Sequence, residues 1–247
     1  MSYKWGEVFR DSAEGPEMVV IPGGEFWMGS REDEVGRNDW EGPRHKVAID
    51  YEFAVGRFAV TFDEWDGFFA EAGPSCLPDF DNSKWSGPRG RRALEAVSWL
   101  DAQQYVLWLS EKSGKAYRLL SESEWEYCAR AGSHTAYPFG DDPSEADKYV
   151  WMNARQNLVG QKLPNAFGLY DMHGNVGQYV QDCWHDCYQG ASIDGSAWTE
   201  GGDDIFQVTR GSSFEGDARI LRSAHRSKWF IGNTSVGVGF RVARAMI

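Results

Sequence analysis

No cysteine follows Cys187 in this chain, and the four present, at positions 76, 128, 183 and 187, are too few for a disulfide framework. A reducing compartment would keep Cys76 and Cys128 as thiols. No stretch approaches the roughly 18 apolar residues of a membrane span. The opening MSYKWGEVFRDSAEG also lacks the basic start and apolar core of a secretory leader, so a cytoplasmic location is expected. Positive charge is short too. Against 37 acidic residues stand 25 Lys and Arg, a formal charge of −12, which argues against nucleic acid or an anionic membrane as partner. The basic cluster GPRGRR at 87–92 reads as a solvated loop rather than a phosphate site. No internal repeat recurs at 20 to 50 residues, which sets aside solenoids and propellers.

Aromatics and turn formers are abundant instead. Twelve Trp, 14 Phe and 10 Tyr can build a core, while 28 Gly and 9 Pro imply many turns, so residues 1–247 read as one domain of short elements. Three capping boxes, Thr61 with Glu64, Ser98 with Asp101 and Ser121 with Glu124, predict helices stopping at Gly73, Gly114 and Gly132. In the second, Ala102, Tyr105, Val106 and Leu109 mark a core-facing stripe. Strand patterns fall at Met18–Ile21, Lys46–Asp50, Phe58–Val60, Asn175–Gln181, Ile205–Thr209 and Gly239–Val242. Long polar segments at 74–95, 132–165 and 186–204 exceed hairpin turns.

From Arg210 to Arg241 the chain reads RGSSFEGDARILRSAHRSKWFIGNTSVGVGFR. A framework of Arg210-Gly211, Arg219, Leu221 to Ala224, Arg226 and Gly239 to Arg241 alternates with residues that follow no period, as a scaffold carrying an interchangeable surface would. Together with NAFGLYDMHGNV at 165–176 and RLLSESEWEYCARAG at 118–132, this segment resembles the formylglycine-generating (sulfatase-modifying) enzyme family. Further matches run in the family's order from MVVIPGGEFWMGS at 18–30, through HKVAIDYEFAVGRFAVTFDEW at 45–65 and AVSWLDAQQYVLWL from 96, to GVGFRVAR at 237–244. The resemblance implies an α+β, variant C-type lectin-like fold with short strands, about three helices and many long loops. Fold alone does not give function.

In the family's enzymes two cysteines after a Gly-Gly-Ser-aromatic turn hold copper and oxidise a substrate cysteine. Here the turn is Gly211-Ser212-Ser213-Phe214, followed by Glu215, Gly216 and Asp217, so no copper is expected and formylglycine-generating activity is not. Gly177 stands where the family has an indole; either a neighbour such as Phe214 fills the space or a pocket opens. The resemblance also implies a calcium site on Asp171, the carbonyls of Gly174 and Val176, and the side chain of Gln178, where the family has a carboxylate. A second calcium site would use Asn153 and the Ala154 carbonyl.

The residues themselves offer further chemistry. Cys183, His185 and Cys187 would share a face of an extended strand as a metal triad, though 183 and 187 would then lie about 13 Å apart. Ser212 or Ser213 with His225 and Asp217 supplies the residue types of a hydrolytic triad, without a nucleophile elbow. Arg222, Arg226 and Arg241 read as framework ion-pair or hydrogen-bond residues rather than anion ligands.

The first functional expectation is a non-catalytic module that binds a protein or small-molecule ligand. Its surface, about 212–238, comprises Ser212, Phe214, Glu215, Gly216, Asp217, Ile220, His225, Ser227, Lys228, Trp229, Phe230, Ile231, Asn233, Thr234, Ser235 and Val236, with Gly177 beneath. Trp229, Phe230 and Ile231 are its apolar anchors or, on the other reading, part of the core. The segment also resembles the variable proteins of diversity-generating retroelements, which use it as a mutable binding surface. The alternative is a metal-dependent oxidoreductase of the same fold, with ligands among His173, His225 and 183–187.

Overall fold

The computed structural model describes residues 3–73, 88–152 and 155–246; Cys76 and the Asn153–Ala154 pair lie outside them. All three helices begin where their capping boxes put them. Helix α1 spans Phe62–Ala72 behind Thr61, α2 spans Trp99–Ser113 behind Ser98, and α3 spans Glu122–Arg130 behind Ser121. The first two end on Gly73 and Gly114. The third ends one residue early, because Ala131 takes the left-handed cap at φ 45° before Gly132.

Eleven strands carry the rest of the described fold. Val8–Phe9 (β1), Met18–Ile21 (β2), Phe53–Gly56 (β5), Tyr117–Leu119 (β6) and Val242–Ala245 (β11) form a five-stranded sheet in the order β1-β2-β5-β11-β6. A four-stranded sheet runs Val238–Phe240 (β10), Gly177–Trp184 (β7), Asp203–Arg210 (β8), Arg226–Phe230 (β9), with β10 parallel to β7. Gly24–Met28 (β3) and His45–Ile49 (β4) pair separately. Helices α1 and α2 pack through Trp65, Phe68 and Tyr105 in one cluster with Met18, Ala54 and Val242 of the first sheet and Phe240 of the second; Trp65 stacks on Tyr105 at 6.0 Å. Among the described residues no helix is long and apolar enough to cross a membrane.

Two strand expectations need correction. Phe58–Val60 is not a strand: Val60 donates to the Phe240 carbonyl and accepts from Leu94 N, so isolated bonds hold it where a ladder was expected. The run 239–242 is split. Arg241 turns its side chain into the interior between β10 and β11, and Gly239 passes so close to Leu94 that a Cβ would lie 2.0 Å from its carbonyl oxygen.

Candidate binding surface

Four arginines of the C-terminal framework are at most 1% exposed, and the sheets are pinned through them. Arg226 grips the Glu122 carboxylate with two bonds of 2.6 and 2.8 Å and donates to the carbonyls of Trp40 and His185. Arg210 pairs with Glu126 and donates to the carbonyls of Ser223, Ala224 and His225. Arg222 holds Glu41 through both terminal nitrogens, at 2.8 and 2.7 Å, and Glu34 at 2.7 Å. Burial opposes the charge on Glu41, yet Arg222 beside it, helped by His225 and Asn38, holds its carboxyl down at about 2. These bonds tie the start of β9 and the residues before it to α3 and to residues 34–41.

On that frame β9 is the outermost strand, and after the buried Arg226 all four of its residues are exposed. Trp229 is 38% exposed and Phe230 44%, so neither closes the core. Phe230 packs on Phe206 with ring centres 4.2 Å apart. Lys228 lies over the rings of Phe206 and Trp184, at 4.7 and 5.1 Å, and Trp40 meets Trp184 edge-on. An aromatic shelf thus flanks one face of the strand. The loop beyond it presents Asn233 and Val236 to solvent, with Ile231, Thr234 and Ser235 half-buried. Glu95, itself buried, anchors its end by accepting the Gly237 N–H at 2.6 Å. Burial raises the Glu95 carboxyl, with the Gly237 bond acting against it and nearby Glu215 adding to it.

The structure removes several expected residues from this surface. Phe214 is buried, facing the position a Cβ on Gly237 would take, and Gly216 and His225 are buried with it. Gly177 is buried as well, donating to the Gly237 carbonyl, so backbone packs against backbone where an indole or a pocket was considered. Glu215, Asp217 and Ile220 are exposed and Ser212 is half-buried. Ser212 holds a left-handed φ of 54°, a conformation that suits the glycine of the related turn better than serine.

The expected chemistry does not assemble. Asp217 pairs with Arg219, while His225 places Nε2 3.2 Å from the Ser227 hydroxyl and Nδ1 3.6 Å from Glu41. That is the order of a nucleophile, base and orienter. However, 3.6 Å is beyond a hydrogen bond, and Glu41 is already held by Arg222. The ring nitrogens of His185 face the carbonyls of Cys183 and Glu200, and Cys183 donates to Trp198, leaving Cys187 on the surface. His173 is fully buried and pushed down to about 3 by that burial, with Arg210 and Arg130 adding to it. Among the described residues no three His, Cys, Asp or Glu side chains converge as metal ligands.

The implied calcium ligands do not fit a cation. The Gln178 side-chain oxygen already accepts from Trp125 Nε1 at 3.0 Å and Arg241 Nε at 3.1 Å, while its amide nitrogen donates to the Asp171 carbonyl. Arg241 is fully buried; desolvation lowers it to about 10, and its bonds go to uncharged oxygens of Gln178, Gly56, Tyr170 and Asp171. A guanidinium therefore stands against the side-chain oxygen of Gln178 that a calcium ion would need.

The model of the sulfatase-modifying factor enzyme 1-like domain matches residues 4–246. The chain belongs to that family. A formylglycine-generating enzyme of Thermomonospora curvata is 25% identical over 92% of both chains, and the inactive C-alpha-formylglycine-generating enzyme 2 of Mus musculus is 27% identical over 77% of both. A serine/threonine-protein kinase pkn1 of Chlamydia pneumoniae is 30% identical over 92% of this chain, which spans only 38% of the kinase's length. Among solved structures, PvdO from Pseudomonas aeruginosa superposes with a TM-score of 0.92 at 40% identity, covering 99% of this chain and 100% of that one. Variable protein 1 of Treponema denticola shares the fold, with a TM-score of 0.80 at 21% identity over 97% of this chain and 98% of that one.

Sequence reasoning reached the exposed strand but missed its supports. Trp40, Trp184, Glu34 and Glu41 lie far from it in the chain. Of the carboxylates beneath it, only Glu122 and Glu126 left a signal, as a pair one helical turn apart in SESEWE.

Proposed function

We propose that this member of the family is a non-catalytic binding module whose surface, Ser227–Phe230 with the loop 231–236 and the aromatic shelf, takes a polypeptide partner. The observation that carries the reading is β9: an outermost strand with four consecutive exposed residues, two of them large aromatics, on fully buried arginines. A preorganised frame lowers the ordering cost of binding, and exposed Trp and Phe ringed by polar groups are the usual anchors. The free backbone edge of β9 suits the addition of an extended strand. The turn after Gly211 offers Glu215, Gly216 and Asp217 where copper chemistry needs thiolates.

Diversification by a retroelement is the finer proposal. It requires a near-copy of the C-terminal coding segment beside the gene, with asparagine codons at the surface positions; a locus without one refutes it. The binding reading is tested by placing a photo-crosslinking benzoylphenylalanine at position 229 and, as control, at exposed Val8 on the other sheet. Crosslinking of one partner chain from 229 alone supports the surface. Equal yield from both positions, or none from 229, refutes it.

A further inference from the structure

A cleft of about 450 Å³ lies away from β9, between residues 10–15, the start of α1 and the side of α2. Tyr105, Trp108 and Leu109 from α2 supply its aromatic and aliphatic wall. Of the polar groups that line it, Glu64 of α1 and Tyr105 of α2 carry atoms with no hydrogen-bond partner among the described residues. Glu64 uses only Oε2 in its capping box, accepting from Thr61 N and Oγ1 at 2.8 Å each, and its Oε1 has no partner among the described residues. No basic group among them lies within ion-pair reach of Glu64. Burial pushes its carboxyl up, against the Thr61 bonds and the more distant Arg10 and Arg91. Tyr105 is 1% exposed and its hydroxyl has no hydrogen-bond partner among the described residues; burial raises it too, with Glu64 adding to the effect.

At the rim stands Arg91, from the basic cluster that sequence reasoning read as a solvated loop. It is exposed and pairs with no carboxylate among the described residues; its contact is the face of Phe58, 5.2 Å away. A part-buried carboxyl with an open oxygen, an unpartnered phenol and an exposed cation thus line one cleft; of its other charged residues Arg10 is paired with Glu17, Lys112 with Glu14 and Glu71, and Asp63 is exposed. Buried polar groups are normally satisfied within the protein, and convergent unsatisfied ones on an apolar wall are the composition of a small-ligand pocket.

We propose that this cleft binds a free apolar α-amino acid, with its ammonium on Glu64 Oε1 and the Tyr105 hydroxyl, its side chain against Trp108 and Leu109, and its carboxylate at Arg91. Glu64 and Arg91 match the two charges of such a zwitterion in sign, and the volume suits a molecule of that size. The site is separate from the β9 surface and does not rest on it.

Calorimetric titration of the whole chain tests the proposal, with L-phenylalanine and L-leucine as probes. Phenethylamine, which lacks the carboxylate, and 3-phenylpropionate, which lacks the ammonium, are the controls. The expected result is saturable binding of an amino acid, with both controls at least about tenfold weaker. Glu64→Gln keeps the capping box, since Gln accepts the same bonds, and weakens binding at least about tenfold at an unchanged fold. Arg91→Gln, at an exposed position, weakens the amino acid but not phenethylamine, while Trp229→Ala with Phe230→Ala leaves binding intact. No saturable heat up to about 20 mM of either amino acid would overturn the assignment. So would 3-phenylpropionate binding as tightly as phenylalanine, or undiminished binding by Glu64→Gln.

Discussion

Replacing Glu41 by Gln asks whether the frame beneath β9 is held by charge. Glu41 is fully buried, and its carboxyl is lowered from an ordinary 4.5 to about 2, against burial, chiefly by the paired bonds of Arg222. At about 1.4 kcal/mol per pH unit, that difference corresponds to about 3 kcal/mol of stability. A carboxyl depressed by folding contributes fully above its unfolded value and loses the contribution as pH falls through its folded value. The term is therefore complete above 4.5 and fades towards about 2. Gln keeps the volume, and Arg222 keeps Glu34, so the substitution removes the charge without stranding the guanidinium. For a domain of this size, 3 kcal/mol lowers the thermal midpoint by about 6–12 °C at pH 7. Calorimetry of both proteins from pH 7 to pH 3 should show that gap narrowing below pH 4.5, with other titrating groups cancelling in the difference. A gap independent of pH, or below about 1 kcal/mol at pH 7, would refute the reasoning.

Ser212→Gly should relieve the left-handed strain at φ 54° and raise the thermal midpoint by about 2–4 °C, read by differential scanning fluorimetry. Gly239→Ala should give little soluble protein on expression, because its Cβ would meet the Leu94 carbonyl oxygen at 2.0 Å, backbone that cannot yield cheaply. Calcium at about 5 mM, above the dissociation constants of weak protein sites, should leave the midpoint within about 1 °C, since Arg241 already occupies the side-chain oxygen of Gln178.

What was legible in the sequence follows the range of the interactions involved. Thr61, Ser98 and Ser121 announced the three helices because a capping box is complete within four residues. Residues 239–242 read as one strand because nothing local says that Arg241 will turn inward; the oxygens it binds come from residues 56, 170, 171 and 178. Distance in the chain also hid the frame: Arg222 finds Glu41 181 positions away and Glu34 188 away. The alternation of framework and non-periodic residues from Arg210 to Arg241 flagged Phe214 and His225 as displayed residues alongside Trp229 and Phe230. The left-handed turn at Ser212 and the register of β9 against β8 decide which of them face solvent, and neither shows as a period. Glu64 was legible only as a cap, since its free oxygen matters through Tyr105 on another helix.

The central claim, that Trp229 and Phe230 are exposed anchors rather than core, is met most directly by replacing both with Ala and measuring partner retention and thermal midpoint on the same preparation. The account predicts loss of the partner that crosslinks at 229, with a midpoint lowered by about 4–8 °C, matching about 2 kcal/mol for two part-exposed aromatics. Undiminished retention would contradict it, as would a fall beyond about 12 °C, the range expected when two core aromatics are cut to alanine.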